Sequence, residues 1–258
     1  MRSARRVAAL VTSVRNLGNG LGRVDLEGDS IGHDVEMGRF AMVEAPGRED
    51  CVLLRPYSYF LAPSLHRIAF LVKEVGKGTH ALLAARPGTR VVVLGPFGNT
   101  FPLIEGEVWA VAGGVGAAPF GLAARRATRV LFGARTASEA GFAEALRETG
   151  LAVELATDDG SAGLHGRVTD LLAQRLSAGS PPDALFACGP TAMMAESARI
   201  AVRHGVRTWA SLEANMGCGF GVCRGCAHRD AGGGWRCICV DGPVYDTALV
   251  FGEAARGS

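Results

Sequence analysis

Residues 216–226 read MGCGFGVCRGC, and a second cysteine-bearing stretch, RCICVDGPVYD, occupies residues 236–246. Cys218, Cys223, Cys226 and Cys239 follow the spacing C-x4-C-x2-C-x12-C. The first three match the plant-type spacing for a [2Fe–2S] cluster, with a fourth thiolate arriving later in the chain. Three thiolates on one short loop must point at a common centre. The loop must therefore fold back on itself, with amide N–H groups turned toward the sulfurs to offset their charge. Gly217, Gly219, Gly221 and Gly225 are interleaved with the cysteines and let backbone approach a cluster closely. For the fourth ligand, Cys239 is the first choice, directly before Val240-Asp241-Gly242-Pro243. Cys237, two residues away, is its rival.

Other uses of cysteine can be weighed against this. Four thiolates also hold structural zinc, and C-x2-C is a common zinc half-site. The C-x4-C spacing and the glycine-rich loop favour the cluster. Disulfides belong to oxidising compartments, and nothing marks the chain as secreted. Its first residues, MRSARRVAALVTSV, hold only a short apolar run, and Arg15 follows, unlike a secretory segment. No stretch approaches the ~20 apolar residues of a membrane helix. A soluble, cytoplasmic protein is expected. Cys51 and Cys188 read as ordinary buried or half-buried thiols. The net charge is +2 with no block of like charge, which gives nucleic-acid binding no electrostatic support.

Upstream of the cysteines the chain divides in two. Its 258 residues, 48% hydrophobic, suffice for about two domains with real cores. Up to residue 103 the pattern is of short strands between Gly- and Pro-rich turns. They are VAALVTSV (7–14), RVDLEG (23–28), GRFAMVEA (38–45), CVLLRPYSYF (51–60), HRIAFLVKEV (66–75) and TRVVVLGPFG (89–98). Such a block predicts an antiparallel barrel or sandwich, with one short helix at HALLAARPG (80–88). From Val108 the rhythm becomes strand–helix alternation. Strands are expected at 108–114, 129–136, 151–160 and 184–190, and helices at 118–128, 137–150, 167–179 and 191–205. That order implies a parallel sheet covered on both faces.

Two strand ends in this second part carry ligand signals. Gly113-Gly114-Val115-Gly116-Ala117-Ala118-Pro119 lies between a strand and a helix, where backbone amides can face a diphosphate. It is not the strict G-x-G-x-x-G fingerprint and also reads as a tight turn. Cys188-Gly189-Pro190 forms the second. Open α/β sheets bind ligands beyond the carboxyl ends of their strands. In the first part, Arg55-Pro56-Tyr57-Ser58 offers an arginine for a phosphate and a tyrosine and serine for a flat ring. Gly76-Lys77-Gly78-Thr79 offers amides at the start of the short helix.

Together, in the order RPYS, GKGT, GPFGNTF, GGVGAAP and CGP, these stretches resemble the ferredoxin–NADP reductase superfamily. With MGCGFGVCRGC and CVDGPVY added, the resemblance narrows to the electron-transfer subunits of NAD-dependent dihydroorotate dehydrogenases, and it runs from about residue 5 to Tyr245. It implies three modules: a six-stranded antiparallel FAD-binding barrel over residues 1–103, a Rossmann-like NAD-binding domain over 104–207 and a small [2Fe–2S] module over 208–258. By the same resemblance Arg55, Pro56, Tyr57 and Ser58 contact the flavin and its phosphates, and Gly78 and Thr79 hold the diphosphate. Leu71, Val72 and Lys73 line the flavin. Gly113, Gly114 and Gly116, with Cys188, Gly189 and Pro190, border the nicotinamide nucleotide. Cys218, Cys223, Cys226 and Cys239 ligate the cluster.

The resemblance also implies an oxidoreductase subunit without a general acid or base. It would carry electrons between NAD(H), FAD, the cluster and the FMN of a dihydroorotate dehydrogenase catalytic subunit, in pyrimidine biosynthesis. The assembly implied is a heterotetramer, two subunits of each kind. Tyr57 departs from the aliphatic residue common in this subunit type, and Cys237 adds a spare thiol. Sulfite reductases and hydrogenases contain similar NAD(P)H-linked modules, which keeps a different electron acceptor open. A zinc-stabilised binding module without redox activity is the reading from a different class. The pair Asp158-Asp159 would repel a 2′-phosphate and so favour NADH over NADPH, and it equally suits a solvated turn.

Overall fold

The computed structural model describes residues 4–48, 50–125 and 127–252. The first three residues of the N-terminal run, Arg126 of the expected 118–128 helix and the end of the third module lie outside them.

Six strands form the first unit: β1 (Arg5–Gly18), β2 (Leu21–Glu27), β3 (Phe40–Val43), β4 (Arg55–Ser64), β5 (Arg67–Lys73) and β6 (Arg90–Phe97). They close into an antiparallel barrel in the order β1-β2-β5-β4-β3-β6. Closure leaves no free edge. Alternation along each strand sends Val24, Leu26, Val43, Phe70, Val72 and Val93 into the interior. Helix α1 (Lys77–Leu83) lies between β5 and β6. It begins three residues before the expected His80, because the Thr79 hydroxyl oxygen accepts from the Val75 and Gly76 amides at 2.8 and 3.0 Å. Those bonds close its first turn.

The second unit contains β7 (Val108–Gly113), β8 (Arg129–Ala134), β9 (Val153–Thr157), β10 (Leu164–His165), β11 (Ala184–Cys188) and β12 (Arg207–Ser211). Helices α2 (Gly141–Arg147), α3 (Val168–Ala178) and α4 (Thr191–Val202) cover it. The cysteine segment follows, with the ribbon β13 (Ala227–Arg229) and β14 (Trp235–Cys237), then α5 (Ile238–Asp241), β15 (Val244–Asp246) and α6 (Thr247–Phe251). The sheet order is β10-β9-β8-β7-β11-β12-β15. All neighbours are parallel except β15, which adds antiparallel to β12 through Ala210↔Tyr245 and its flanking pairs. The cysteine segment is therefore clamped between two strands of one sheet.

The expected helix at 118–128 differs in form. Residues Gly114–Arg125 wind as 3-10 turns with Pro119 inside them. Proline lacks the amide an α-helical turn would use. The segment is also pressed onto its neighbours: a Cβ on Gly121 would stand 2.3 Å from the Phe60 carbonyl oxygen.

Barrel and sheet share one core. Phe101 stacks on Phe186 with ring centroids 4.6 Å apart and meets Phe120 at 5.7 Å. Phe60 and Leu71 of the barrel join the same buried cluster as Ala110 and Phe132 of the sheet. Removing such an aromatic side chain typically costs about 3–5 kcal/mol. This shared core fixes the two units against each other and so fixes the cleft between them.

Candidate functional site

The cleft between barrel and sheet has a volume of about 370 Å³. Arg55, Pro56, Tyr57 and Ser58 line it from the start of β4, Leu71 and Lys73 from the end of β5, and Thr79 from α1. Val72 does not line it. Strand alternation turns its side chain into the barrel core, where it is fully buried. Gly78 sits under Arg55: a Cβ there would stand 2.3 Å from Nε. This close approach lays the guanidinium along the first turn of α1. Arg55 Nη1 also donates to the carbonyls of Leu53 and Cys51. The Tyr57 ring lies 5.7 Å from that of Phe70, and burial pushes its hydroxyl up to about 12.

A second cleft, of about 680 Å³, opens at the carboxyl ends of the parallel strands. Gly113 and Gly114 line it after β7, Arg135 after β8, Asp158 after β9, and Gly189 and Pro190 after β11. This is where open α/β sheets bind nucleotides. The two glycine-bearing turns touch. A Cβ on Gly116 would stand 2.2 Å from the Cys188 carbonyl oxygen, and one on Gly189 3.0 Å from the Gly113 amide nitrogen. Gly116 and Cys188 form the floor beneath the cleft rather than its lining. Burial pushes the Cys188 thiol far above its ordinary value, so it packs as a small apolar group.

Lys73, Val115 and Glu213 line both clefts, which meet at these residues. Glu213 follows β12 at the carboxyl edge of the sheet. Its carboxyl group is open to the cleft, yet the surrounding protein pushes its pKa up. Sequence reasoning missed it, and the available signal was its place directly after a parallel strand. The acidic pair separates in space. Asp159 accepts from the Ser161 amide at 2.9 Å and hydroxyl at 2.6 Å, while Asp158 lines the cleft.

The cysteine loop is seated on the barrel. A Cβ on Gly219 would stand 2.5 Å from Met42 Cγ of β3, and the Phe220 ring lies 6.1 Å from that of Phe97. Gly219 and Gly221 adopt φ of 85° and 88°, the left-handed conformation that folds the loop back. The thiols stand in two pairs. Cys226 and Cys239 have their sulfurs 3.2 Å apart, too far for a disulfide at about 2.0 Å. The Cys223 amide lies 3.5 Å from the Cys218 sulfur. Among the described residues no group of three metal-ligating side chains already surrounds one point. Two pairs are nevertheless the donor set that a two-iron unit takes, two thiolates to each iron.

Amides face these sulfurs. Gly225 donates to Cys223 at 3.4 Å and Cys239 to Cys226 at 3.5 Å. At Cys218, burial pushes the thiol up, and the amides of Cys223, Phe220 and Val222 outweigh it, bringing the value down to about 6. Burial and the neighbouring Cys226 sulfur push Cys239 up to about 12. Cys237 lies on β14, and its amide donates to the Asp241 carboxylate at 2.7 Å.

Residues 213–251 match the family model for the iron–sulfur cluster binding domain of dihydroorotate dehydrogenase B. A relative from Shouchella clausii, the electron transfer subunit of dihydroorotate dehydrogenase B (NAD(+)), is 39% identical over 87% of this chain and 90% of its own. The chain belongs to the dihydroorotate dehydrogenase B electron-transfer subunits. A family member from Geobacillus thermodenitrificans is 35% identical over 91% of this chain and 94% of its own. Among solved structures, an NADH-dependent reduced ferredoxin–NADP oxidoreductase superposes with a TM-score of 0.83 at 27% identity, covering 97% of this chain and 91% of that one. A ferredoxin reductase of carbazole 1,9a-dioxygenase shares the fold at a TM-score of 0.67 and 23% identity, over 79% of this chain and 67% of that one. As a member of the electron-transfer subunit family, the chain is an iron–sulfur flavoprotein oxidoreductase subunit that works with FAD, NAD and a [2Fe–2S] cluster. The family match decides for the cluster over zinc. Among the described residues no helix is long and apolar enough to cross a membrane.

Proposed function

We propose that the chain relays electrons between NAD(H) and the FMN of a dihydroorotate dehydrogenase catalytic subunit, in a cytoplasmic assembly of two subunits of each kind. One observation carries this reading: the three sites adjoin. Lys73, Val115 and Glu213 join the two clefts, while Phe40, Met216 and Pro243 bring the cysteine segment to the barrel-side cleft. The bound cofactors supply the redox chemistry, exchanging a hydride at the nicotinamide and single electrons between flavin and cluster.

The chain's own residues bind and orient. Arg55 and Thr79 grip the FAD diphosphate, Arg55 being held in place over Gly78. Tyr57, Ser58, Leu71 and Lys73 frame the flavin ring. Gly113, Gly114 and Gly189 leave room for the nicotinamide nucleotide because they carry no side chain there, Pro190 lines the same cleft, and Gly116 and Cys188 keep the two turns in contact beneath it. Cys218 with Cys223, and Cys226 with Cys239, hold the cluster. Cys223 is exposed, and Val222, next to it in the chain, and Val240, against Gly221 of the same loop, are 75% and 49% exposed. Such apolar surface around an electron port suits a permanent partner subunit.

Anaerobic co-expression with a dihydroorotate dehydrogenase catalytic subunit tests the reading. The expected product is a coloured complex with one FAD, two irons and two sulfides for each copy of this chain, reducing NAD+ with dihydroorotate. A loaded protein that neither binds that subunit nor exchanges electrons with it would overturn the assignment of partner. The likeness to the NADH-dependent ferredoxin–NADP oxidoreductase supports a second reading, a reductase subunit for another redox protein. Co-purification from the native host separates the two.

A further inference from the structure

Few buried side-chain polar atoms lack a hydrogen-bond partner among the described residues, and the Tyr245 hydroxyl is one of them. Tyr245 is 5% exposed. An unpaired buried hydroxyl costs about 1–3 kcal/mol, so a residue that keeps one calls for an explanation.

Its position supplies one. Alternation along β15 sends Val244 into the core shared by barrel and sheet, and Tyr245 to the opposite side, into the cluster of buried residues that contains Cys226 and Cys239. The ring folds back over Gly242: a Cβ there would stand 2.4–2.8 Å from the tyrosine Cε2, Cζ and hydroxyl oxygen. Only glycine at 242 admits the ring in this place. Burial makes the hydroxyl hard to ionise, with Asp241 adding to that effect and Arg236 opposing it. The hydroxyl is thus a neutral donor without a partner among the described residues, buried in the same cluster as Cys226 and Cys239.

Resting on the ligand assignment above, we propose that the Tyr245 hydroxyl donates a hydrogen bond to a sulfur of the Cys226–Cys239 half of the bound cluster and thereby sets its reduction potential. A donor at sulfur stabilises the more negative, reduced state and raises the potential. Phenylalanine would keep the ring and lose only the donor, so Tyr245 acts here as a tuning residue and not as a ligand.

The test is an EPR-monitored redox titration of the holoprotein. Tyr245→Phe is expected to keep two irons and two sulfides and to make reduction of the cluster about tenfold less favourable, a fall of 59 mV for a one-electron couple. Incorporating 3-fluorotyrosine, a stronger donor of nearly the same size, should move the potential the opposite way. The other two tyrosines, Tyr57 and Tyr59, lie in the barrel. A full cluster with an unmoved potential in both proteins overturns the role of Tyr245 alone. Loss of the cluster from Tyr245→Phe together with an unmoved potential in the fluorinated protein overturns it too. Absence of a [2Fe–2S] signal from the unaltered protein overturns the ligand assignment itself.

Discussion

The sulfurs of Cys226 and Cys239 meet at 3.2 Å, although one ends the glycine-rich loop and the other sits on α5. The Cys239 amide donates back to the Cys226 sulfur at 3.5 Å, so the contact is built from backbone and side chain together. Cys237 stands on the strand before α5, its amide held by Asp241. Cys239→Ser should therefore lower iron affinity by about tenfold or more and remove most of the cluster absorbance while FAD stays bound. Cys237→Ser should keep both. Iron and sulfide assays on the purified variants check this, and full cluster content in Cys239→Ser would reverse the assignment.

The contact of Arg55 with Gly78 gives a prediction for the flavin. A charge-assisted hydrogen bond contributes about 1.5–3 kcal/mol, so Arg55→Ala should weaken FAD binding about 10–100-fold. Gly78→Ala should act in the same direction, more weakly, because its Cβ would displace the guanidinium without removing it. Both variants should retain the cluster spectrum. Fluorescence titration of the apoprotein with FAD measures the effect.

The six barrel strands and the strand–helix alternation were legible because hydrophobic period and turn residues are local properties. The cysteine spacing was legible because ligands to one centre must be close in sequence or bracket a turn. What stayed hidden is long-range or too short to leave a pattern. β15 is three residues long, and nothing local tells that it would pair with β12. Val72 looked like its neighbours until alternation placed it inside the barrel. Glu213 carries no motif of its own and acquires its place only when β12 enters the sheet. The helix expected at 118–128 became 3-10 turns because Phe60 and Cys188, distant in sequence, press on its glycines.

Asp158 and Asp159 are adjacent in sequence and different in work. Asp158 lines the nucleotide cleft, and Asp159 is occupied by Ser161. Asp158→Ser should raise the ratio of kcat/KM for NADPH over NADH by about tenfold, since like charges in close contact cost several kcal/mol. Asp159→Asn should leave that ratio unchanged. Steady-state kinetics with both nucleotides decides, and an unchanged ratio in Asp158→Ser would mean that Asp158 does not face the ribose.

Glu213 gives a prediction in pH. The surrounding protein raises its pKa above the ordinary 4.5, so the folded state favours the protonated carboxyl. The sign follows from linkage: a raised folded value contributes stability below the unfolded pKa, and this is lost as pH rises through the folded value. Glu213→Gln, which stays neutral, should match the unaltered protein in thermal midpoint near pH 4 and exceed it at pH 7. The gap should be small, because the carboxylate remains open to water in the cleft and is screened there. Thermal melts of the apoprotein at the two pH values give the gap directly. A variant that melts below the unaltered protein at pH 7 would show that the carboxylate is stabilised by a cationic partner rather than penalised by burial.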